Sequence, residues 1–269
     1  MPVKRCMPEP LRVVISGASG RMGSTLARLV GADSGLTIAG GLDREGADAP
    51  PAFPEIRSPA DAGDLIRSAD VVVDFSAPEF LARILTEQAD ALAGRALVAG
   101  TTGLGEAEER LLARAAERSP VLTAANFSVG VNVLLALVER AARALGPEYD
   151  VEIVEAHHRR KEDAPSGTAL ALGQAVAAGR GVDLATVRRD GRSGRPGARP
   201  DGEIGFHALR GGSVVGEHDV MFIGDLDRIE IAHRATDRAL FAAGALRAAR
   251  WLTGRPAGRY EMRQVLGLD

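Results

Sequence analysis

The chain has 269 residues, of which 45% are hydrophobic and 26% charged, and its net charge at pH 7 is −3. This composition is typical of a folded protein, and a length well beyond ~150 residues favours two domains. The negative charge argues against nucleic acid or an anionic membrane as a partner. Apolar runs such as 129–138 are interrupted by Gly130 and Asn132 and fall short of the ~20 residues that span a membrane.

The usage of cysteine and lysine adds two constraints. The single cysteine, Cys6, cannot form an internal disulfide, and residues 1–10 lack the apolar segment of a secretory signal, so a cytoplasmic protein is expected. Cys6 precedes the first predicted strand and is given no role. Of the 33 Lys and Arg residues only Lys4 and Lys161 are lysines. One explanation of this scarcity of lysine is chance. The other is chemical, because the pKa of a lysine can be lowered until it releases a proton, whereas an arginine stays charged.

Strands and helices alternate along the first half of the chain. The run at 11–16 is rich in Val and Ile, as in a buried parallel strand, and glycines follow it. Pro78 opens a helix, where proline is favoured. The alternation predicts an α/β fold with a Rossmann-type, doubly wound parallel sheet. The predicted strands are 11–16, 36–42, 71–75, 96–99 and 121–124, and the predicted helices are 22–30, 78–90 and 106–117.

The pattern changes after residue 128. Consecutive strands joined by Gly and Asp turns predict a second, α+β domain with a mixed or antiparallel sheet. The Ala-rich helix 238–252 is predicted to pack back on the first sheet, so residues 1–127 and 236–269 form one domain and residues 128–235 the other. The segment 191–202 is predicted to be a solvated, mobile loop. The predicted helices are 129–145 and 167–178, and the predicted strands are 151–156, 204–209, 214–223 and 228–233.

A glycine turn, GASGRMG at 17–23, follows the first strand and opens a helix. Glycines there allow a tight turn, close approach of a pyrophosphate and close helix–strand packing, and the helix N-terminus offers free N–H groups. The spacing G-x-x-G-x-x-G is unusual, and a turn without a dinucleotide is the alternative. Asp43 ends the second strand, where an acid can bind the adenine ribose, and Arg44 could meet a 2′-phosphate. Together they favour a site that tolerates both NADH and NADPH.

Two more loops follow strands of the first sheet, GTTG at 100–103 and AANF at 124–127. Ligands of open α/β sheets bind beyond the carboxyl ends of the strands, so both loops are placed near the nicotinamide. Taken alone, each loop is an ordinary turn.

The segment 155–168 has the parts to hold an acidic substrate and protonate it. His157 could supply a proton near neutral pH. Ser166 is predicted to cap a helix, which leaves the N–H groups of Gly167 and Thr168 near an open helix end that favours an anion. Positive charge for the same anion would come from His158 and Lys161.

Other interpretations of these residue types are weaker. Adjacent histidines could bind a metal, but neighbours in a strand point to opposite faces and no further ligand has suitable spacing, so no metal is expected. His207 and His218 are predicted to be structural or surface residues, and His233 is ambiguous. The arginines of 188–199 and the RGG at 210–212 could contact RNA, but few aromatic residues accompany them, so solvated loops are predicted.

At these residues the sequence resembles the 4-hydroxy-tetrahydrodipicolinate reductase (dihydrodipicolinate reductase) family of bacterial lysine biosynthesis. The segment 155–170 is highly specific, and the glycine turn much less so. The matching segments run over nearly the whole chain: 17–23, 100–103, 126–132, 155–170, 204–206, 210–212, 216–218 and 241–245.

The resemblance implies hydride transfer from NADH or NADPH to a cyclic dicarboxylate within the diaminopimelate and lysine pathway. It implies a dinucleotide-binding domain at both chain ends, and between them a domain that binds substrate and forms a homotetramer. His157 would donate or accept a proton and Lys161 would donate one, while His158, Gly167 and Thr168 would bind a substrate carboxylate. The cofactor would be bound by Gly17, Ala18, Ser19, Gly20, Arg21, Met22, Asp43, Arg44, Gly100, Thr101, Thr102, Ala124, Ala125, Asn126 and Phe127.

Two departures and two alternatives accompany this interpretation. The stretch 47–58 is short and proline-rich, and Asp43 stands where Glu is also familiar, which leaves the cofactor preference open. Another two-domain dehydrogenase of amino-acid metabolism is one alternative, although Cys6 is badly placed as the nucleophile of a semialdehyde dehydrogenase. A non-catalytic NAD(P) sensor is the other, and it would need the glycine turn but not His157 or Lys161.

Overall fold

The computed structural model describes residues 9–48 and 50–268, so Lys4 and Cys6 lie outside the described residues. The chain divides into two compact units. One runs to Phe127 and resumes at Ala239–Gly267, and the other is Ser128–Arg238. No helix among the described residues is long and apolar enough to cross a bilayer.

The strands, in chain order, are β1 Leu11–Ser16, β2 Leu36–Leu42, β3 Ile56–Arg57, β4 Val71–Asp74, β5 Ala96–Ala99, β6 Pro120–Thr123, β7 Asp150–His157, β8 Arg188–Asp190, β9 Ile204–Arg210, β10 Gly216–Ile223, β11 Arg228–Ala235 and β12 Gly258–Tyr260. The α-helices are α1 Arg21–Gly31, α2 Gly63–Ser68, α3 Pro78–Glu87, α4 Ala89–Leu92, α5 Glu106–Ala116, α6 Val129–Leu145, α7 Gly167–Arg180, α8 Leu184–Val187, α9 Ala239–Leu252 and α10 Met262–Leu266.

The first unit is built on a seven-stranded sheet whose pairings are all parallel. Its order, β12-β6-β5-β4-β1-β2-β3, contains the 3-2-1-4-5-6 order of dinucleotide-binding folds, with β12 added at one edge. The order reverses at β1, so the carboxyl end of β1 lies at the switch point where such sheets bind ligands. The predicted Rossmann-type sheet is confirmed.

Both faces of this sheet are covered, which explains the continuous apolar runs of its strands. Val13 and Ile15 pack into one buried cluster, and Val14 between them packs into the other. The small residues of α9, among them Ala242 and Ala245, pack into the first cluster.

Gly23 in the first turn of α1 holds that helix close to the turn after β1. A Cβ at this position would lie 2.3 Å from the carbonyl oxygen of Gly17 and 2.6 Å from that of Ala18. Such overpacking costs about 1–3 kcal/mol, and about 2–4 °C of Tm accompanies each kcal/mol in domains of 150–250 residues. We therefore expect Gly23→Ala to lower the Tm that Trp251 fluorescence reports from the same unit.

Gly31 in the same helix provides the matched control for this substitution. A Cβ there would meet nothing within 4 Å. Gly31→Ala is expected to raise stability by roughly 0.5–1 kcal/mol, because alanine loses less conformational entropy. Equal Tm values for the two variants would contradict the close packing at Gly23.

The second unit contains a mixed five-stranded sheet of order β11-β10-β7-β9-β8. β10 is antiparallel to β7 and β11, whereas β9 is parallel to β7 and β8. Helices α6 and α7 cover one face, where Val151, Ile153, Phe206, Val220 and Phe222 form the core with apolar residues of both helices. This sheet confirms the predicted α+β architecture.

The structure corrects several predicted elements. The helix predicted at 78–90 is interrupted at Gln88, whose φ of −119° and ψ of 21° are not helical, so α3 and α4 are separate. The strand predicted from 214 begins at Gly216. The short elements β3, β8, β12, α2, α8 and α10 were not predicted. Each has two to six residues and shows no strong apolar periodicity.

Two arginines of the loop 191–202 form ion pairs, and the prediction of a solvated loop is wrong for Arg199, which is half-buried. Arg199 Nη1 lies 2.5 Å from Asp150 Oδ1, and Arg192 Nη1 lies 3.0 Å from Glu152 Oε2. Glu203 also pairs with Arg192. These arginines anchor the loop to acidic residues of β7, which are about 40 to 50 positions away in the sequence and give no local signal.

Candidate active site

The glycine turn leads directly into α1, and the first N–H groups of this helix have no side-chain cap. Gly17 has φ +78°, and a Cβ there would lie 2.5 Å from the Phe75 carbonyl oxygen. Gly20 is the N-cap of α1, and no side chain among the described residues caps this helix or brings an acid to its first turn. A Cβ on Gly20 would meet only the Gly17 carbonyl, at 3.1 Å. The turn therefore fits a pyrophosphate, which these N–H groups would bind.

Asp43 is held next to this turn and is 9% exposed. Its Oδ2 accepts hydrogen bonds from Ser19 N at 2.8 Å and from Ser19 Oγ at 2.7 Å, and its Oδ1 accepts one from Arg44 N at 2.8 Å. The carboxylate thus joins the end of β2 to the glycine turn. Ser19, Arg21 and Arg44 are exposed, Met22 is half-buried, and Ala18 is fully buried in the core.

Asp74 is a buried carboxyl group that was not predicted from the sequence. Its Oδ1 accepts from Ser16 Oγ at 2.5 Å and Ser76 Oγ at 2.6 Å, and its Oδ2 accepts from Thr101 Oγ1 at 2.5 Å. Burial raises the pKa of Asp74, and the three hydroxyl groups oppose the rise. The group ties together the carboxyl ends of β1 and β4 and the loop after β5. The Thr101 hydroxyl also accepts a hydrogen bond from Ser76 N at 3.0 Å, so it serves this cluster.

The two outer loops mix exposed and packed residues. Thr102 and Ala125 are exposed, whereas Ala124 and Asn126 are half-buried. Phe127 is 3% exposed, and its ring packs edge-on against Phe75 at 5.5 Å between centroids. Gly100 lies against the same Phe75 ring, 2.3 Å from where its Cβ would be. Phe75 therefore shapes both loops, and Phe127 belongs to the core.

In the second unit, His157 ends β7 and is paired with a buried carboxylate. Its Nδ1 lies 2.6 Å from Glu155 Oε2, and the two side chains are 12% and 1% exposed. Burial lowers the pKa of His157, the charge of Glu155 opposes this, and the charges of Lys161 and Arg210 add to it.

Arg210 forms a fork on Glu155. Its Nη2 donates to Oε1 and its Nη1 to Oε2, each at 2.7 Å, and Nη2 also donates to the Asp163 carbonyl oxygen at 2.7 Å. The parallel register of β7 and β9 pairs Arg210 with His157. The prediction of a solvated Arg210 is therefore wrong.

His218 lies beside His157 and is 3% exposed. The antiparallel register of β7 and β10 pairs it with Glu155, and the two imidazole centroids are 5.2 Å apart. Burial lowers the pKa of His218 to about 4. Its assignment to a structural or surface position missed this contact. His207, by contrast, pairs with Glu152 at 2.7 Å.

Helix α7 begins at the other side of the same carboxylate. Ser166 caps it as predicted, since Oγ accepts from Ala169 N at 3.1 Å, and Ser166 N donates to Glu155 Oε1 at 3.1 Å. Gly167 is exposed at the open helix end, and Thr168 is half-buried.

The two remaining predicted cations lie in the loop between β7 and α7. Lys161 Nζ lies 2.8 Å from both oxygens of Asp163. His158 has a buried Nδ1 with no hydrogen-bond partner among the described residues. Among the same residues, no cluster of three or more His, Cys, Asp or Glu could hold a metal ion.

A glycine turn at the switch point of a Rossmann-type sheet, followed by an acid after β2, is typical of nicotinamide-dependent dehydrogenases and reductases. In the second unit, a histidine that shares a buried carboxylate with an open helix end suits proton transfer to an anionic substrate. The fold and the site thus define a two-domain NAD(P)-dependent oxidoreductase.

Comparison with known proteins identifies the family. The model of "Dihydrodipicolinate reductase, N-terminus" matches residues 11–127, and that of "Dihydrodipicolinate reductase, C-terminus" matches residues 130–266. A 4-hydroxy-tetrahydrodipicolinate reductase of Alkalilimnicola ehrlichii is 48% identical over 274 residues, covering 96% of this chain and 99% of that protein. One of Acidiphilium cryptum is 49% identical over 262 residues, covering 96% and 98%.

Solved structures show the same fold. A dipicolinate-bound dihydrodipicolinate reductase from Paenisporosarcina sp. TG-14 superposes with a TM-score of 0.74 at 23% identity, over 94% of this chain and 97% of that one. A diaminopimelate dehydrogenase of C. glutamicum reaches 0.55 at 14% identity, over 94% and 92%. Because other dehydrogenases share the architecture, the sequence matches decide the family.

The chain belongs to the 4-hydroxy-tetrahydrodipicolinate reductase family. The predicted oxidoreductase activity is confirmed: it is the NADH- or NADPH-dependent reduction of 4-hydroxy-tetrahydrodipicolinate to tetrahydrodipicolinate in diaminopimelate and lysine biosynthesis.

Proposed function

We propose that the chain carries out this reduction with His157 as proton donor or acceptor and Lys161 as proton donor. The observation that carries the proposal is the pairing of His157 with a buried carboxylate beside the open N-terminus of α7. There, His158, Gly167 and Thr168 bind one carboxylate of the cyclic dicarboxylate. Lys161 would add positive charge for the same carboxylate. Its side chain is 20% exposed, and its one described ion-pair partner is Asp163.

The residues of the first unit are proposed to hold the cofactor. The phosphates are surrounded by Gly17, Ala18, Ser19, Gly20, Arg21 and Met22. The adenine ribose is bound by Asp43 and Arg44. Two loops orient the nicotinamide end, one formed by Gly100, Thr101 and Thr102 and the other by Ala124, Ala125, Asn126 and Phe127. Thr101 acts through its backbone, and Phe127 acts through its packing. When bound, NADH or NADPH supplies the hydride. The side chains of the protein transfer the proton and bind the substrate carboxylates. The hydroxyl group of the substrate leaves as water.

The finer organisation is also proposed. Residues 1–127 and 236–269 form the dinucleotide-binding domain, and residues 128–235 bind substrate and assemble a homotetramer in the cytoplasm, with neither nucleic acid nor membrane as partner. Support comes from the glycine turn in the first unit, from the histidine–lysine segment in the second, and from the likeness to the family.

A spectrophotometric assay tests the activity directly. With substrate formed in situ from pyruvate and aspartate semialdehyde, we expect oxidation of both NADH and NADPH, because Asp43 and Arg44 suit the two adenine riboses. Dipicolinate, which the Paenisporosarcina relative binds, is expected to compete with substrate. Reactions without pyruvate give the background rate. Folded protein that oxidises neither cofactor would contradict the proposal.

A further inference from the structure

Glu155 contacts three functional parts of the second unit at once. It is 1% exposed, and both of its oxygens are occupied. Oε2 faces His157 Nδ1 at 2.6 Å and Arg210 Nη1 at 2.7 Å. Oε1 accepts from Arg210 Nη2 at 2.7 Å and from Ser166 N, the N-cap of α7, at 3.1 Å. One carboxylate thus joins the candidate acid to the helix end proposed to bind substrate.

Glu155 is held in its ionised form. Burial raises its pKa, but the Arg210 fork, His157 and the Ser166 N–H together lower it below the ordinary value. An ionised carboxylate only accepts hydrogen bonds, so the shared proton resides on His157 Nδ1. The neutral imidazole then carries its lone pair on Nε2, and Nε2 is the atom that exchanges a proton.

Gly216 lies on the Nε2 side of His157. A Cβ on Gly216 would lie 3.0 Å from His157 Nε2, so the absence of a side chain at Gly216 leaves room at that nitrogen. The charged and titratable groups that face the imidazole are Glu155, Lys161, Arg210 and His218. Glu155 is the only acid among these, so it alone favours the protonated imidazole.

We propose that Glu155, clamped by Arg210, is a positioning residue that fixes the tautomer and orientation of His157 and couples them to the start of α7. The inference rests on the proposed role of His157. A carboxylate that orients a catalytic imidazole acts in this way in hydrolase triads. Here the same group also holds the N-cap of the helix proposed to bind substrate, so the acid and the substrate carboxylate keep a fixed geometry.

The test compares Glu155→Gln, His157→Gln and the double variant in the reductase assay across pH. We expect Glu155→Gln to lower kcat by roughly 10- to 100-fold, less than the roughly 100- to 10,000-fold of general acid–base catalysis itself. The limb of the pH profile that His157→Gln removes should move to lower pH, because the neutral amide no longer favours the imidazolium. The double variant should lose no more than His157→Gln alone, because Glu155 acts through His157.

Glu152→Gln is the matched control. Glu152 lies on the same strand and holds a histidine and two arginines in the same manner, through His207, Arg192 and Arg199. Its variant should keep the wild-type pH profile.

The outcomes separate the two ideas. Multiplicative losses in the double variant, or an unmoved limb, would overturn the positioning role. Full activity of His157→Gln would instead overturn the proposed function. Nitrogen NMR of ¹⁵N-histidine-labelled wild-type protein tests the tautomer even if Glu155→Gln does not fold. A neutral His157 protonated on Nε2 would refute the inference.

Discussion

Replacing His157 by glutamine is expected to lower kcat by roughly 100- to 10,000-fold, the range that a positioned general acid or base contributes. Glutamine preserves size and polarity but cannot exchange a proton. Lys161→Ala should also lower kcat strongly, since Lys161 is proposed as the second proton donor. The measurement is steady-state reduction with saturating NADPH and with substrate varied. KM should change much less than kcat for His157→Gln, because the interaction lost belongs to the transition state.

His207→Gln is the matched control for this substitution. His207 lies on β9, the strand next to β7, and its Nε2 pairs with Glu152 at 2.7 Å, much as His157 pairs with Glu155. The same chemical change outside the proposed site should leave kcat at the wild-type level. If His157→Gln and Lys161→Ala both retain full turnover, the assignment of these two residues as catalytic is wrong. The proton for the substrate must then come from another group.

The features that could be predicted from the sequence depend on residues that lie close together in the chain. The glycine turn, the acid at Asp43 and the Ser166 cap depend on neighbours within a few residues or within one βαβ unit, and each has its own residue signature. The strands of the first sheet were readable because both faces are buried, so their apolar runs are continuous.

What could not be predicted depends on strand register. Arg210 and His218 reach His157 only because β9 is parallel and β10 antiparallel to β7, in registers that pair Arg210 with His157 and His218 with Glu155. The residues paired in these registers lie far apart in the chain, so no local sequence pattern shows that they meet. Asp74 was missed for a different reason, because an aspartate at the end of a buried strand is common and its three hydroxyl partners lie at the end of β1 and in the loops after β4 and β5.

The two histidines of the site are expected to respond differently to acid, and His218 has the larger effect. It is 3% exposed, and its Nε2 lies 3.1 Å from Ser166 Oγ. Burial and then the charge of His157 lower the pKa of His218 to about 4, with further lowering by His233 and Lys161 and opposition from Glu155. In the unfolded chain a histidine titrates at about pH 6.5. His218 is therefore buried as the neutral base.

The sign of the pH dependence follows from this difference. Above about pH 6.5 both states of His218 are neutral, and its contribution to stability is fully present. As the pH falls from about 6.5 towards 4, the unfolded chain binds a proton that the native chain does not, so stability is lost. Below about pH 4 both states are protonated and the loss stops. Since one pKa unit corresponds to ~1.4 kcal/mol, the whole loss is on the order of 3 kcal/mol.

Hydrogen exchange measured by mass spectrometry can isolate this contribution. At each pH between about 7.5 and about 4.5, which covers most of the range over which this contribution is lost, wild-type protein is compared with His218→Gln, so that the intrinsic exchange chemistry cancels. Segments of β7 and β10 should lose protection with acid more steeply in the wild type than in the variant, because glutamine does not titrate. Segments of β1 and β4, in the other unit, serve as the internal control and should respond alike in both proteins. Parallel acid profiles of β7 and β10 would mean that His218 is not buried as a neutral base, and that its place beside His157 is wrong.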